Sequence, residues 1–219
     1  MTSTEVRVLL RKAALYTLFM LCGTVPLSVG NTSHIQSETT VSDSGSKEEE
    51  MADFEAAFLF VMRHEDPQLN GVITVDRGGR TRFGVSEKAH PEVWKKGPRS
   101  FEDALRLAQV EYWDRHRLAG VNNQEVANYI LDMIFNEGPG AIKLVQVALN
   151  DFEFAAIDGD LGAQTLAAIN RQEAAVFLRS LSHRRKLFYK HLAKGTRVNR
   201  RWLPIWLQRA ADGVPKAQA

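Results

Sequence analysis

The chain has 219 residues, with 28 Lys and Arg against 26 Asp and Glu and a single cysteine, a length that suits one sizeable domain with an appendage. Cys22 lies in the N-terminal apolar stretch, so disulfides and cysteine-based metal sites are excluded from residue 31 onward. The six histidines are scattered without metal-ligand spacing, and no glycine-rich phosphate or dinucleotide motif occurs, which leaves chemistry carried by carboxylates.

Residues 1–30 have the layout of a signal peptide or signal anchor. Arg7, Arg11 and Lys12 precede an uncharged run from Ala13 to Gly30, and Ser28 and Gly30 are small residues two apart. Membrane contact is therefore expected through residues 13–30. Residues 31–50 are Ser/Thr-rich, with the acidic run Glu48 to Glu50, and read as a disordered linker. Met51 is itself a natural start. The protein is expected to be exported to the periplasm or cell envelope if the leader is used, and cytoplasmic if translation starts at Met51.

Asp53 to Glu65 reads as a helix. Phe54, Phe58, Val61 and Met62 recur at i, i+4, i+7 and i+8, and Glu65 falls on the same apolar face. Pro67 disfavours a helical Asp66, so the helix ends near Glu65. A carboxyl at the end of an apolar face is partly desolvated, which suits a proton donor. A β-type run, Val72 to Val75, follows and ends in Asp76. The turn Arg77-Gly78-Gly79-Arg80 leads to a return run through Thr81, Phe83 and Val85, giving a hairpin. One acid at a helix end and another on a hairpin is how a glycosidase brings two carboxyl groups to a cleft.

The remainder reads as helices. A short one ends near Trp94. Ser100 and Asp103 form a capping box for a helix through about His116. Gln124 to Asn136 is strongly apolar and is expected to be the most buried helix, stopped by Asn136-Glu137-Gly138-Pro139-Gly140. Ala141 to Asn150 is a further helix, Asp158 to Gly162 a turn ahead of another, and residues 172–194 a long basic helix. The turn lacks the later ligands of a calcium loop. Between Glu173 and Asp212 no acid occurs; the many cations there read first as a solvated face, with steering to an anionic polymer as the sharper reading. Trp202 and Trp206, at i and i+4, read as core or interface.

Four motifs in order carry a resemblance. They are Ala52-Asp53-Phe54-x-x-Ala57-Phe58; Glu65 and Asn70 with Asp76-x-Gly78-Gly79-x-Thr81-x-x-Gly84-Val85; Asp132-x-x-x-Asn136-x-Gly138-Pro139-x-Ala141; and Asp158-Gly159-x-Leu161-Gly162-x-x-Thr165-Leu166, closed by Trp206-Leu207-x-Arg209. Over about residues 51–210 the chain resembles glycoside hydrolase family 108, the lysozyme-like N-acetylmuramidases found as phage endolysins and secretion activators. It departs from the family at one place: Glu65-Asp66-Pro67-Gln68 stands where the family usually has Glu-Gly-Gly-Tyr, and the loop to Asp76 is two residues longer.

The resemblance implies a mainly α, lysozyme-like helical domain with a small β-hairpin at the cleft. It implies a catalytic domain over 51–140, a helical peptidoglycan-binding part over 141–210 and a tail over 211–219. It further implies Glu65 as general acid, Asp76 as water-holding or charge-stabilising carboxylate and Thr81 as water-positioning hydroxyl. Asn70, Asn136 and Gly138 become candidate substrate contacts. The local readings of Asp76 as a turn cap, Thr81 as a strand residue and Asn136 as a helix terminator stand beside these roles. Peptidoglycan is the expected partner, nucleic acid is not, and the protein is expected to be a monomer without metal or cofactor. A non-catalytic wall-binding or secretion-assisting module and a lytic transglycosylase are the alternatives.

Overall fold

The computed structural model describes residues 51–76, 79–97, 100–152 and 156–216. The leader and linker over 1–50 lie outside the described residues. Helix α1 (Phe54–Glu65) is capped by Asp53, whose carboxylate accepts from Ala56 N at 2.7 Å. It stops where expected: Asp66 N still bonds Met62 O, and Pro67 prevents continuation. Phe54, Ala57, Phe58, Val61, Met62 and Glu65 are all buried, as the 3.6-residue periodicity requires.

The expected hairpin is a three-stranded antiparallel sheet, β1 (Thr74–Asp76), β2 (Gly79–Arg82) and β3 (Val85–Ser86). Thr74 faces Thr81, and Thr81 in turn faces Ser86. Two local constraints separate this from the sequence expectation. Strand β1 starts at Thr74 and not at Val72, because Leu69 and Gly71 both have positive φ and turn the chain, and Arg82 Nε pins Gly71 O at 2.8 Å. The return run breaks at Phe83 and Gly84, both at positive φ, so Val85 belongs to a third strand. The turned-in Phe83 is buried and meets Phe101 edge-on at 5.5 Å.

Helix α2 (Pro91–Trp94) is short, and α3 (Phe101–Ala108) begins with the Ser100/Asp103 capping box. The expected run to His116 is instead interrupted: α3 widens at Ala108 into a π-helical turn, Gln109–Asp114. Helix α4 (Gln124–Glu137) is the centre of the fold, with Ala127, Ile130, Leu131, Asp132 and Met133 fully buried. It packs against α1, α5 (Ala141–Leu149) and α7 (Ala174–Gly195). Helix α6 (Ala163–Asn170) closes one side, and α8 (Arg197–Arg209) returns along α7. One cluster of buried apolar residues runs from Ala52 to Leu181, and a smaller one joins Tyr189, Trp202, Trp206 and Ala210. Tyr189 and Trp206 stack at 5.3 Å.

The sheet is seated on α4 through Gly84. A Cβ built there would lie 2.7 Å from the Phe135 ring, at φ +75°. Gly84→Ala is therefore expected to cost at least about 1–2 kcal/mol from the left-handed backbone alone, lowering the melting temperature by several degrees in a thermal scan. An unchanged melt would show that the sheet does not bear on Phe135.

Candidate functional site

Glu65 closes α1 as a buried residue, 6 % exposed, and it is not alone. Arg209, on the last turn of α8, donates from Nη1 to Glu65 Oε1 at 2.7 Å. The same guanidinium grips Asp132 on α4, with Nη2 to Oδ1 at 2.6 Å and Nε to both carboxylate oxygens at 3.1 Å. Asp132 faces a second cation, Arg185 Nη1, at 2.8 Å. Arg185 Nε then donates to Glu137 Oε1 at 2.8 Å and to Tyr189 Oη at 3.1 Å. Tyr189 donates to Glu137, and Asn136 Nδ2 donates to Tyr189 Oη at 2.5 Å and to Glu137 Oε1 at 3.1 Å. The Arg185 guanidinium also lies over the Tyr129 ring at 5.2 Å.

Asp132 and Arg185 are both 0 % exposed. Burial drives the Asp132 carboxyl up, but Arg209 and Arg185 outweigh it and hold it well below the ordinary carboxylate range. Burial pushes both guanidiniums down, and the surrounding carboxylates more than restore them, Glu137 foremost for Arg185 and Asp132 for Arg209. Tyr189 is pushed far up by burial and stays a neutral donor. His64, one residue before Glu65, is held below its usual value by burial. The neighbouring carboxylates Asp132, Asp212 and Glu65 pull it up, while Arg209 opposes them. Its Nε2 sits 3.2 Å from Asp212 Oδ2, so at neutral pH this contact sets an uncharged imidazole beside a carboxylate.

His64, Asn136, Trp206, Arg209 and Asp212 line one cavity of about 470 Å³ at the meeting of α1, α4 and α8. A second, more apolar cavity of about 380 Å³ lies under Leu59, Phe60, Pro67 and Leu69. The loop between Glu65 and β1 is tied to itself. Asp66 Oδ2 accepts from Gly71 N at 2.8 Å, and Asn70 bonds Gln68 and accepts from Val72 N.

Of the sequence-derived candidates, Glu65 and Asn136 are brought together, joined by one continuous chain of polar contacts. Gly138 ends α4 at φ 74°, a conformation only glycine takes easily, and its N–H caps Ile134 O. Asn70 is exposed on the loop. Thr81 is buried on β2 and, among the described residues, makes no hydrogen bond to this cluster. Asp76 ends β1 opposite Gly79; its side chain lies outside the described residues.

Asp132, Arg185, Tyr189 and His64 were not singled out as site residues by the sequence. The signal was present in two of them: Asp132 interrupts the apolar face of α4, and Arg185 continues the stripe of Leu178, Leu181 and Ser182 on α7. A charge on a buried face implies a buried partner. The reading of the basic run as a solvated face fails at Arg185 and Arg209 for the same reason: both stand on the inward faces of α7 and α8 and meet carboxylates there.

Residues 61–138 match the family described as "Glycosyl hydrolase 108", and residues 140–211 match one described as "Predicted Peptidoglycan domain". No curated protein matches the chain. Among solved structures it is similar to Brucella abortus SagA, with a TM-score of 0.55 and 22 % identity over 73 % of this chain and 94 % of that one, a likeness of fold. The two matched segments meet at Pro139, and the ion pairs cross that seam. Glu65, Asp132 and Glu137 come from one side, Arg185, Tyr189 and Arg209 from the other.

Two outcomes follow from this arrangement. Arg185→Met leaves Glu137 in the interior without a cation and Asp132 with Arg209 alone, and is expected to destabilise by about 3–5 kcal/mol, measured by denaturant unfolding; a loss below about 1 kcal/mol would mean the pairs are dispensable. Acid also removes stability, for two reasons of the same sign. His64, and with it His90 and His116, is held low by burial, so the unfolded chain takes protons first as pH drops below about 6.5. Asp132 is depressed, so its contribution is complete above about pH 4 and is lost as pH falls further. Melting temperature is expected to decline gently below pH 6.5 and steeply below pH 4; a flat profile to pH 3 would refute the network's role.

Proposed function

We propose that this chain, which belongs to the glycosyl hydrolase 108 family and is a glycoside hydrolase acting on peptidoglycan, is a muramidase. It hydrolyses the β-1,4 bond between N-acetylmuramic acid and N-acetylglucosamine, with Glu65 as general acid. The fold is the matching one, mainly helical and lysozyme-like with a small antiparallel sheet.

The observation that carries the reading is the placement of Glu65. It is a carboxyl at a helix end, buried, and held in place by a single guanidinium. That guanidinium is already committed to Asp132 through three contacts. Three buried carboxyls, Glu65, Asp132 and Glu137, share two arginines, so the cluster has one acid more than it has cations. Glu65 has the fewest partners of the three and is the member next to the β-sheet loop. It gives its proton to the glycosidic oxygen as the bond to the leaving sugar breaks. Asp76 stabilises the developing oxocarbenium charge or holds the attacking water, and the Thr81 hydroxyl orients that water. Water adds across the bond, its hydroxyl to the muramic carbon, and the proton returns to Glu65. Asn70, Asn136 and Gly138 are assigned to substrate contact. No metal or cofactor enters this mechanism. Delivery to the envelope through residues 1–30 belongs to the same reading.

Two observations favour the non-catalytic alternative. Asp66, in place of the family's glycine, spends its carboxylate tying the loop to Gly71, and Glu65 is ion-paired throughout. The two readings separate on one variant. Glu65→Gln removes the transferable proton together with the carboxylate that faces Arg209, leaving two carboxyls for two arginines, so turbidity loss on purified peptidoglycan is expected to fall by roughly 10²–10⁴ with the melting temperature nearly kept. Mass spectrometry of the wild-type products is expected to show reducing muramic ends, each one water heavier than an anhydro end. A fully active Glu65→Gln protein would end the muramidase mechanism, and anhydro products would mark a transglycosylase. A wild-type protein that sediments with peptidoglycan without cutting it would establish the binding module.

A further inference from the structure

Helices α7 and α8 each place one arginine inward, into the buried cluster, and then carry cations outward. Past Arg185, α7 exposes Lys190 and Lys194; at the start of α8, Arg197, Arg200 and Arg201 are exposed. The two helices are antiparallel and joined at Thr196, so these five cations crowd the same end of the pair. Elsewhere on the surface six cations have a carboxylate partner: Arg80 with Glu87, Lys95 with Glu92, Arg106 with Asp103, Arg115 with Glu111, Arg117 with Asp160 and Arg184 with Asp151. Among the described residues none of the five has a carboxylate at ion-pair distance, and no acid occurs in the chain between Glu173 and Asp212. The three arginines moreover sit at the start of α8, with no acid in its first turn, where the helix dipole disfavours cations. An isolated protein gains nothing from this arrangement. It becomes favourable when an external anion approaches.

We infer that the α7–α8 end is a second contact for peptidoglycan, distinct from the cleavage site, which takes the carboxylates of the muramic acid and peptide parts of the strand. Peptidoglycan is the occupant because the patch lies within residues 140–211, the segment matching the peptidoglycan family. Position supports it as well: Arg201 is about 12 Å along α8 from Arg209 at an ordinary helical rise, close enough for one glycan sheet to reach both. The inference rests on peptidoglycan as substrate and is independent of how Glu65 works.

The test is sedimentation of the Glu65→Gln protein with purified sacculi over a range of NaCl, beside K190Q/K194Q/R197Q/R200Q/R201Q made in the same background. The neutral variant is expected to bind about tenfold more weakly at low salt, and the two proteins to converge near 1 M, where the screening length is about 3 Å. R197K/R200K/R201K keeps the charge and is expected to keep the binding. In the otherwise wild-type protein, the neutral variant is expected to lose lysis of sacculi while cutting short soluble glycan fragments at the parent rate. Binding of the parent that ignores salt, a neutral variant that binds like the parent, or a lysine variant that falls as far as the neutral one would each overturn the proposal. So would parent binding to phosphatidylglycerol vesicles as tight as to sacculi, since that assigns the patch to a membrane. If the neutral variant melts early, the parent's salt titration alone decides. These binding readouts stand whether or not Glu65 proves to be the proton donor.

Discussion

Three carboxylates and two guanidiniums, removed from water between four helices, are the constraint on which the rest of this structure depends. Taking each charge out of water costs several kcal/mol, and the cost is recovered only if every ion finds its partners at bonding distance. Apolar packing tolerates a small slide of one helix along another. The Asp132–Arg209 and Asp132–Arg185 contacts do not, because a shift of one ångström breaks them. With the Glu65–Arg209 contact they therefore set the relative positions of α1, α4, α7 and α8, which the surrounding leucines, isoleucines and phenylalanines then fill. Asp132 is the hub, bound by both arginines and fully buried.

The functional geometry is a by-product of that constraint. Glu65 holds its place at the end of α1 because Arg209 reaches it from α8, and Arg209 is itself immobilised by Asp132. Asn136 is held in the same way by Tyr189 and Glu137. The proposed mechanism draws on such support, since a proton donor that is misplaced loses rate steeply. The support comes from the segment that matches the peptidoglycan family, while Glu65 comes from the segment that matches the hydrolase family. The buried ion cluster of this chain is thus built from both, and the same two helices that brace Glu65 continue outward to the exposed cations at their far end.

The departure from the family's Glu-Gly-Gly-Tyr has a physical account. Glycines at such a place let the chain turn freely. Here Asp66 and Pro67 end the helix, the turn is taken instead by Leu69 and Gly71 at positive φ, and the Asp66 carboxylate and Asn70 amide stabilise it. The longer loop is closed by its own hydrogen bonds and by Arg82, and it leaves Leu69, Val72 and Ile73 facing solvent.

Much of this was legible in the residues. The C-terminal limit of α1, the cap at Ser100, the burial of α4 and the burial of Glu65 itself follow from local rules, since periodicity and capping act over a few residues of contiguous chain. The motif order was enough to indicate the family. The third strand was not legible, because the break at Phe83 and Gly84 depends on how that turn seats against Phe101 and Phe135. Nor was the identity of Glu65's partner, which lies 144 residues away. A charged residue on an apolar face announces that it needs an opposite charge. Which one it meets is decided only when helices distant in the chain come to rest against each other, and here that choice fell to Arg209, Asp132 and Arg185.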